Sequence, residues 1–222
     1  MTTQKSLLII SVLLNLLFLS YYLQRLLSRY QKEKDALPHK VWLNRDAYLE
    51  KLPVSPSDIL LIGDSQIEAF EATEMFHDLR VKNRGINYEK SSTMVERVGR
   101  EIRGHPAKVF LEGGINDIFD DVSTGIIVKN FKQVIDTISL NSPGTQIFIN
   151  SLFPSTIKYD VKIKELNKLL QQLCIKNNVV FINNYDDMMF QGRINDLYHI
   201  GDSLHLNYEG YKKWMSHLCP YL

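Results

Sequence analysis

The sequence predicts an α/β domain built on a parallel β-sheet. Short apolar runs rich in β-branched and aromatic residues recur after residue 58, and each run is too short to form a helix. Strands that are apolar on both faces are typical of a parallel sheet covered by helices. Helix-like stretches separate the runs, so strand and helix alternate five times, as in an α/β domain.

The order of the elements follows from these patterns. The clear strands cover residues 59–62, 109–111, 146–149 and 179–182, and a weaker strand covers residues 80–86. The helices cover residues 91–103, 124–140, 160–177 and 207–218. Reactive groups in such folds collect at the carboxyl ends of the strands, so the chemistry of the protein is expected there.

The composition is that of an ordinary globular chain. Of the 222 residues, 45% are hydrophobic and 23% are charged, which is enough apolar material for a buried core. Lys and Arg number 26 against 25 Asp and Glu, and the net charge of +1 argues against nucleic acid as a partner. Cys174 and Cys219 are too few for a disulfide framework, and no Cys/His cluster indicates zinc.

The amino terminus has the composition of a membrane-spanning helix. No charged residue occurs between Lys5 and Arg25, and Ser6–Gln24 are 19 residues dominated by Leu, Ile, Val and Phe. A helix of this length is about 28 Å long, close to the hydrocarbon thickness of a bilayer. Tyr21 and Tyr22 lie where interfacial aromatic residues are expected. No small-residue cleavage site follows, so we predict a single-pass membrane anchor and not a signal peptide.

A break rich in Pro and Ser at residues 52–57 precedes the α/β domain. We therefore predict a transmembrane anchor and the start of a stalk over residues 1–35, a linker or stalk over residues 36–57, and the α/β domain over residues 58–222. By the positive-inside rule, the charges after the apolar segment would keep this domain in the cytoplasm. Those charges are Arg25, Arg29, Lys32 and Lys34.

A candidate nucleophile follows the first strand, in Gly63-Asp64-Ser65. A serine that leaves a strand and opens a helix is exposed at the top of the sheet, where helix amides can meet developing negative charge. Taken alone, the motif is also what a turn with a helix cap would look like.

Candidate oxyanion donors follow the second and third strands. Gly85 ends the second strand, and glycine allows a ligand to approach the backbone N–H closely. Asn116 follows Gly113-Gly114 after the third strand, and its uncharged amide suits an oxyanion hole. A strand-ending turn and a helix cap are the competing interpretations of these two motifs.

A candidate base lies near the carboxyl terminus. His is the usual general base for a serine hydroxyl, and Asp202 stands three residues before His205, where it can orient the imidazole. The pair Asp196/His199 has the same spacing and is the main rival. A helix can start after His205, whereas a flexible Ile200-Gly201 follows His199. Together the motifs supply a nucleophile, oxyanion donors, a base and an orienting acid.

These motifs resemble the four sequence blocks of the SGNH, or GDSL, hydrolase superfamily. Gly63-Asp64-Ser65 resembles the nucleophile block, Gly85 the glycine block, Gly114-Ile115-Asn116-Asp117 the G-x-N-D block, and Asp202-x-x-His205 the D-x-x-H block. The resemblance covers residues 58–218. It is greatest to the branch that holds the platelet-activating-factor acetylhydrolase catalytic subunits.

The resemblance implies a three-layer α/β/α sandwich of flavodoxin-like topology with a five-stranded parallel sheet. It also implies a serine esterase that needs no metal or organic cofactor. Ser65 would attack the ester, His205 would act as base, Asp202 would orient it, and Ser65, Gly85 and Asn116 would form the oxyanion hole.

The resemblance leaves the substrate and the location open. The substrate would be a small-molecule, carbohydrate or lipid ester, for example an acetylated sugar or a lysophospholipid. An O-acyltransferase with the same triad and a non-catalytic, membrane-tethered binding module are the alternatives. Many relatives act outside the cytoplasm, which conflicts with the charges that flank the predicted anchor.

Overall fold

The computed structural model describes the backbone of residues 2–222 and the side chains of residues 13–30, 37 and 39–222. The chain divides into two compact units, one ending at Val41 and the other spanning Trp42–Leu222. The helices are α1 (Thr2–Leu49), α2 (Ser65–Glu68), α3 (Ala72–Phe76), α4 (Ser91–Glu101), α5 (Ile115–Phe119), α6 (Thr124–Asn141), α7 (Ile157–Asn177) and α8 (Tyr208–Leu218). The strands are β1 (Ile59–Gly63), β2 (Val81–Gly85), β3 (Lys108–Leu111), β4 (Gln146–Asn150), β5 (Val180–Ile182), β6 (Met189–Phe190) and β7 (Arg193–Ile194).

The main sheet of the described chain has five parallel strands in the order β2-β1-β3-β4-β5. This is the flavodoxin-like order that the resemblance implies. The last residue of β1, Gly63, pairs with Gly85 of β2, and Ile62 pairs with Leu111 of β3. The carboxyl ends of these three strands therefore lie side by side, and the segments that leave them are neighbours.

Alternating side chains of the strands bury two separate cores, which makes the domain three-layered. Leu60 and Ile62 of β1 pack in the cluster formed with α4, α5, α6 and α7. Ile59 and Leu61 pack in the cluster formed with α2, α3 and α8. Because a strand points successive side chains to opposite faces, an apolar run of five residues predicts this double burial. The predicted α/β/α sandwich is confirmed.

The predicted membrane anchor is not supported. Part of the segment, residues 6–12, lies outside the residues whose side chains the structure describes. Among the described residues, none of the helices combines the length and the apolar character that crossing a bilayer requires. The location of the protein stays a prediction from sequence.

The carboxyl-terminal end of α1 belongs to the second unit and packs on the sheet domain. Trp42 and Leu49 are buried together with Ile86, which follows β2. The guanidinium of Arg84 donates hydrogen bonds to the carbonyls of Leu49 and Pro53, at 3.2 and 3.0 Å. Residues that the sequence assigns to a stalk thus contribute buried side chains to the α/β domain.

Candidate active site

The turn after β1 fixes the position of Ser65. Asp64 is buried, and its Oδ1 accepts a hydrogen bond from the backbone N–H of Gln66 at 2.9 Å, which caps α2. A Cβ on Gly63 would lie 2.2 Å from the carbonyl oxygen of Glu112, so only glycine fits there. Ser65 is the first residue of α2, where a backbone N–H has no partner within the helix. Its hydroxyl and its N–H are therefore both available at the carboxyl end of β1.

Ser65, His205 and Asp202 form a continuous chain of hydrogen bonds. Ser65 Oγ lies 3.1 Å from His205 Nε2, and His205 Nδ1 lies 2.6 Å from Asp202 Oδ2. Because a carboxylate can only accept, the imidazole proton is on Nδ1, and Nε2 faces the serine hydroxyl as an acceptor. This is the arrangement that a general base needs.

Asp202 is held in its ionised form. Partial burial raises its pKa, but hydrogen bonds from the His205 side chain and from the backbone N–H groups of Leu204 and His205 outweigh burial. The two backbone bonds are both 2.9 Å long and end on Oδ1. The net effect holds the pKa of Asp202 below its ordinary value, so the carboxylate can stabilise a positive charge on His205.

Gln66 connects the nucleophile turn to the loop that carries His205, although no sequence motif assigns it a role. Its amide nitrogen donates to the Leu204 carbonyl at 2.7 Å, and its Oε1 accepts from the Leu206 N–H at 3.3 Å. The Tyr211 hydroxyl donates to the Gln66 carbonyl at 2.9 Å. Gln66 therefore brackets His205 on both sides. A glutamine after the nucleophile carries no pattern that predicts such contacts.

The rival histidine, His199, has different partners. Its Nε2 lies 3.1 Å from Asp196 Oδ1, and its Nδ1 accepts hydrogen bonds from the N–H groups of Gly201 and Ser203. In the part of the chain that the structure describes, no hydrogen bond joins His199 to Ser65. The structure thus places the pair Asp202/His205, and not Asp196/His199, against the nucleophile.

Asn116 lies in α5, which leaves the carboxyl end of β3 beside β1. Its Nδ2 donates to the carbonyl oxygen of Glu89 at 3.0 Å. An amide nitrogen carries two donors, so this bond fixes the orientation of Asn116 and leaves one N–H free.

The structure gives Gly85 a packing role and not the predicted oxyanion role. Its N–H donates to the Oδ1 of Asn83 at 2.8 Å and is therefore occupied. A Cβ at this position would lie 2.1 Å from the backbone nitrogen of Glu68. The glycine is required because α2 packs directly on the end of β2.

Tyr88 has the backbone features that the sequence predicts for Gly85. Its φ is 63°, in the left-handed region that a bulky residue rarely adopts. Its N–H has no hydrogen-bond partner among the described residues. On one side, the N–H of Asn87 donates to the Glu68 carboxylate of α2, and on the other, the Glu89 carbonyl accepts from Asn116. Tyr88 thus lies between the nucleophile helix and Asn116.

Two buried carboxyl groups lie beneath the nucleophile turn. Burial raises the pKa of Asp64 to about 6. Burial and the adjacent Asp64 carboxyl raise the pKa of Glu112 well above its ordinary value. Two carboxyl groups buried in this way are not both ionised, so the pair keeps one proton at neutral pH. Among the described residues, no three His, Cys, Asp or Glu side chains are grouped so that they could hold a metal ion.

A family model for the GDSL-like lipase/acylhydrolase family matches residues 66–213. The chain belongs to this family. The match begins one residue after Ser65 and includes the segment that carries Asp202 and His205. The chain is accordingly a hydrolase of ester bonds. No curated protein matches it.

Solved structures of the same family are similar to this GDSL-like acylhydrolase. A candidate platelet activating factor protein from Streptococcus pneumoniae has a TM-score of 0.80 and 25% sequence identity, covering 87% of this chain and 98% of that one. A candidate acylhydrolase from Bacteroides fragilis has a TM-score of 0.70 and 20% sequence identity, covering 79% of this chain and 92% of that one. A catalytic mutant of the acetylxylan esterase Axe2 from Geobacillus stearothermophilus has a TM-score of 0.62 and 14% sequence identity, covering 76% of this chain and 94% of that one.

Proposed function

We propose that this acylhydrolase is a serine esterase that cleaves carboxylic esters through an acyl-enzyme on Ser65. The observation that carries the proposal is the chain of hydrogen bonds from Ser65 Oγ through His205 to Asp202, 3.1 and 2.6 Å long. A serine, an imidazole and a carboxylate in this order form the constellation that activates a hydroxyl for acyl transfer.

The reaction proceeds in two halves. Ser65 Oγ attacks the ester carbonyl while its proton moves to His205 Nε2, and the tetrahedral intermediate expels the alcohol, which receives that proton. Water then attacks the acyl-enzyme, its proton moves to His205, and Ser65 regains a proton as the acid leaves. Asp202 keeps the imidazole in the Nδ1–H form and stabilises it when it becomes positively charged.

Three donors are proposed for the oxyanion. They are the Ser65 N–H at the start of α2, the second N–H of the Asn116 amide, and the Tyr88 N–H. The last replaces Gly85, whose N–H is bonded to Asn83. The unpaired state of the Tyr88 N–H and its position between Asn87 and Glu89 support this assignment. Donors held by a rigid backbone act most strongly where charge develops in the transition state.

The substrate class follows the family and its structural relatives. The names of two similar structures refer to an acetylxylan esterase and to platelet activating factor. We therefore propose either a short acyl group on an O-acetylated carbohydrate or a longer acyl chain on a lipid such as a lysophospholipid. Aryl esters of increasing acyl length, from acetate to decanoate, would rank these options. A monotonic fall in kcat/KM with chain length supports the acetyl ester, and a rise supports the lipid.

The test combines labelling with turnover. A fluorophosphonate probe should label the wild-type chain, and Ser65→Ala should abolish labelling and lower turnover by about a millionfold. Ser57→Ala is the matched control, since Ser57 is exposed and its side chain contacts Ser55. Turnover that requires an added sugar or alcohol would assign an acyltransferase instead. Absence of labelling together with absence of turnover would leave a binding module.

A further inference from the structure

We propose that His199 is a positioning residue for the esterase. Its imidazole holds the loop of residues 200–205 in the shape that brings Asp202 and His205 to Ser65. The inference rests on the proposed function, because it assumes that Asp202 and His205 do the chemistry.

The loop is closed at its base by backbone contacts. His199 pairs with Leu206 in an isolated antiparallel bridge, and the Ile200 N–H donates to the His205 carbonyl at 3.0 Å. The side-chain amide of Asn207, at the start of α8, donates to the His199 carbonyl at 3.1 Å. These bonds fix the two ends of the loop. From outside the loop, the Ser155 hydroxyl donates to the Ser203 carbonyl at 3.0 Å and the Gln66 amide donates to the Leu204 carbonyl at 2.7 Å. The N–H groups on either side of Asp202 are held from within.

The His199 ring supplies that internal support. Its side chain is 7% exposed, and its Nδ1 accepts hydrogen bonds from the N–H groups of Gly201 and Ser203, at 2.9 and 3.1 Å. An atom that accepts from two N–H groups carries no proton, so the proton is on Nε2. That Nε2–H donates to Asp196 Oδ1, 3.1 Å away, which fixes the orientation of the ring.

The two residues held by His199 are those on either side of Asp202. Gly201 has a φ of 107° and Ser203 a φ of 58°, so both lie in the left-handed region. Such a backbone is costly for serine and persists where the surroundings impose it. One imidazole nitrogen that binds both N–H groups imposes it here. Without this acceptor two donors lose their partner, and the backbone on both sides of Asp202 loses a support.

The role is indirect, because His199 has no hydrogen bond to Ser65 in the described chain. The effect passes through Asp202, whose Oδ2 holds His205 Nδ1. Displacement of a base by about an ångström can cost roughly a hundredfold in rate. The chain therefore contains two Asp-x-x-His pairs with different tasks: Asp202/His205 faces the nucleophile, and Asp196/His199 shapes the loop.

Two substitutions separate the two nitrogens of His199. In His199→Asn the side-chain oxygen takes the place of Nδ1 and can still accept from Gly201 and Ser203. In His199→Gln an amide N–H takes the place of Nε2–H and can still reach Asp196. We expect kcat to fall by about ten- to a hundredfold in His199→Gln and His199→Ala, with KM unchanged, and by less than about threefold in His199→Asn.

Amide hydrogen exchange at Gly201 and Ser203 gives a second readout that does not depend on activity. Both amides should be protected in the wild type and in His199→Asn, and should exchange rapidly in His199→Gln and His199→Ala. Protection that survives in His199→Ala, or equal kcat in the Asn and Gln variants, would overturn the inference. A wild type that hydrolyses no ester, with the amides behaving as expected, would instead overturn the proposed function.

Discussion

A Cβ on Gly85 would stand 2.1 Å from the backbone nitrogen of Glu68. This places the end of β2 in direct backbone contact with α2, the helix that begins with Ser65. The same approach lets the Asn87 N–H reach the Glu68 carboxylate. The spacing between α2 and the loop of residues 86–90 is therefore set by the absence of a side chain at Gly85.

Gly85→Ala is expected to destabilise the fold by more than about 3 kcal/mol, because neither backbone can move away without breaking the sheet. Gly125→Ala is the matched control, since a Cβ there meets no atom within 4 Å and Gly125 lies in α6. That variant should be more stable by about 0.5–1 kcal/mol through helix propensity. Urea unfolding of both variants measures the difference, and equal midpoints would refute the packing role.

Asn116→Ala should lower kcat by about 10²–10³, with little change in KM, because an oxyanion donor acts mainly in the transition state. The control is Asn130→Ala, whose amide nitrogen donates to Ser91 Oγ at 2.9 Å on the neighbouring helix. Steady-state kinetics on one activated ester would compare them. A rise in KM alone would make Asn116 a substrate-binding residue.

A chain that begins at Lys40 should keep the activity and stability of the sheet domain, because it retains Trp42 and Leu49. A chain that begins at Pro53 should be less stable by at least about 3 kcal/mol, since it exposes Ile86 and removes two buried side chains. It should also lose activity, because the Trp42 indole donates to the Glu89 carboxylate at 3.4 Å and Glu89 orients Asn116. Thermal unfolding and turnover measurements would compare the two chains. Equal melting temperatures and equal turnover would show that residues 42–52 are only a stalk.

The buried pair Asp64 and Glu112 should make stability fall as the pH rises. The pKa values of both carboxyl groups are higher in the folded state than in the unfolded state, so the folded state binds more protons. The resulting stabilisation is fully present below about pH 4 and is lost as the pH rises through the folded-state pKa values. For Asp64 alone, a pKa raised from 3.8 to about 6 corresponds to roughly 3 kcal/mol lost as the pH rises through that range.

Glu112→Gln tests this, because its amide can donate to Asp64 without titrating. We expect the free energy of unfolding of the variant to change less between pH 4 and 8 than that of the wild type. Urea unfolding at a series of pH values measures it, and parallel curves would show that the pair does not share a proton.

Much of the fold follows from local pattern. The strands are apolar runs bounded by turn residues, and the helices α4, α6, α7 and α8 have amphipathic spacing, so both could be predicted. The strands of the hairpin β6–β7 have two residues each, which is too short for an alternating hydrophobic pattern that could predict them. The burial of Trp42 and Leu49 escaped prediction because a long charged helix gives no sign of the surface that its last turns meet.

The part of the site that consists of side chains was predictable, because residue type dictates their chemistry. The part that consists of backbone N–H groups was less predictable. Ser65, Asp202 and His205 are brought together as their order along the chain predicts, while their catalytic roles stay predictions. Glycine predicts an accessible backbone N–H at Gly85, whereas the Gly85 N–H is bonded to Asn83 and the N–H of Tyr88, a residue with a left-handed φ, is unpaired among the described residues. No residue preference marks a strained tyrosine, so only the three-dimensional structure could find it.

The chain has two tryptophans, and they are placed as two separate optical reporters. Trp214 is buried in α8 between Phe70 and Phe153, with its indole N–H on Asn150. Trp42 is buried on Ile86, with its N–H on Glu89. In a Trp214→Phe background the remaining emission comes from Trp42, where the end of α1 packs on the loop of residues 86–90. A red shift of that emission without loss of far-ultraviolet ellipticity would show that the end of α1 has separated from residues 86–90 while the sheet stays folded.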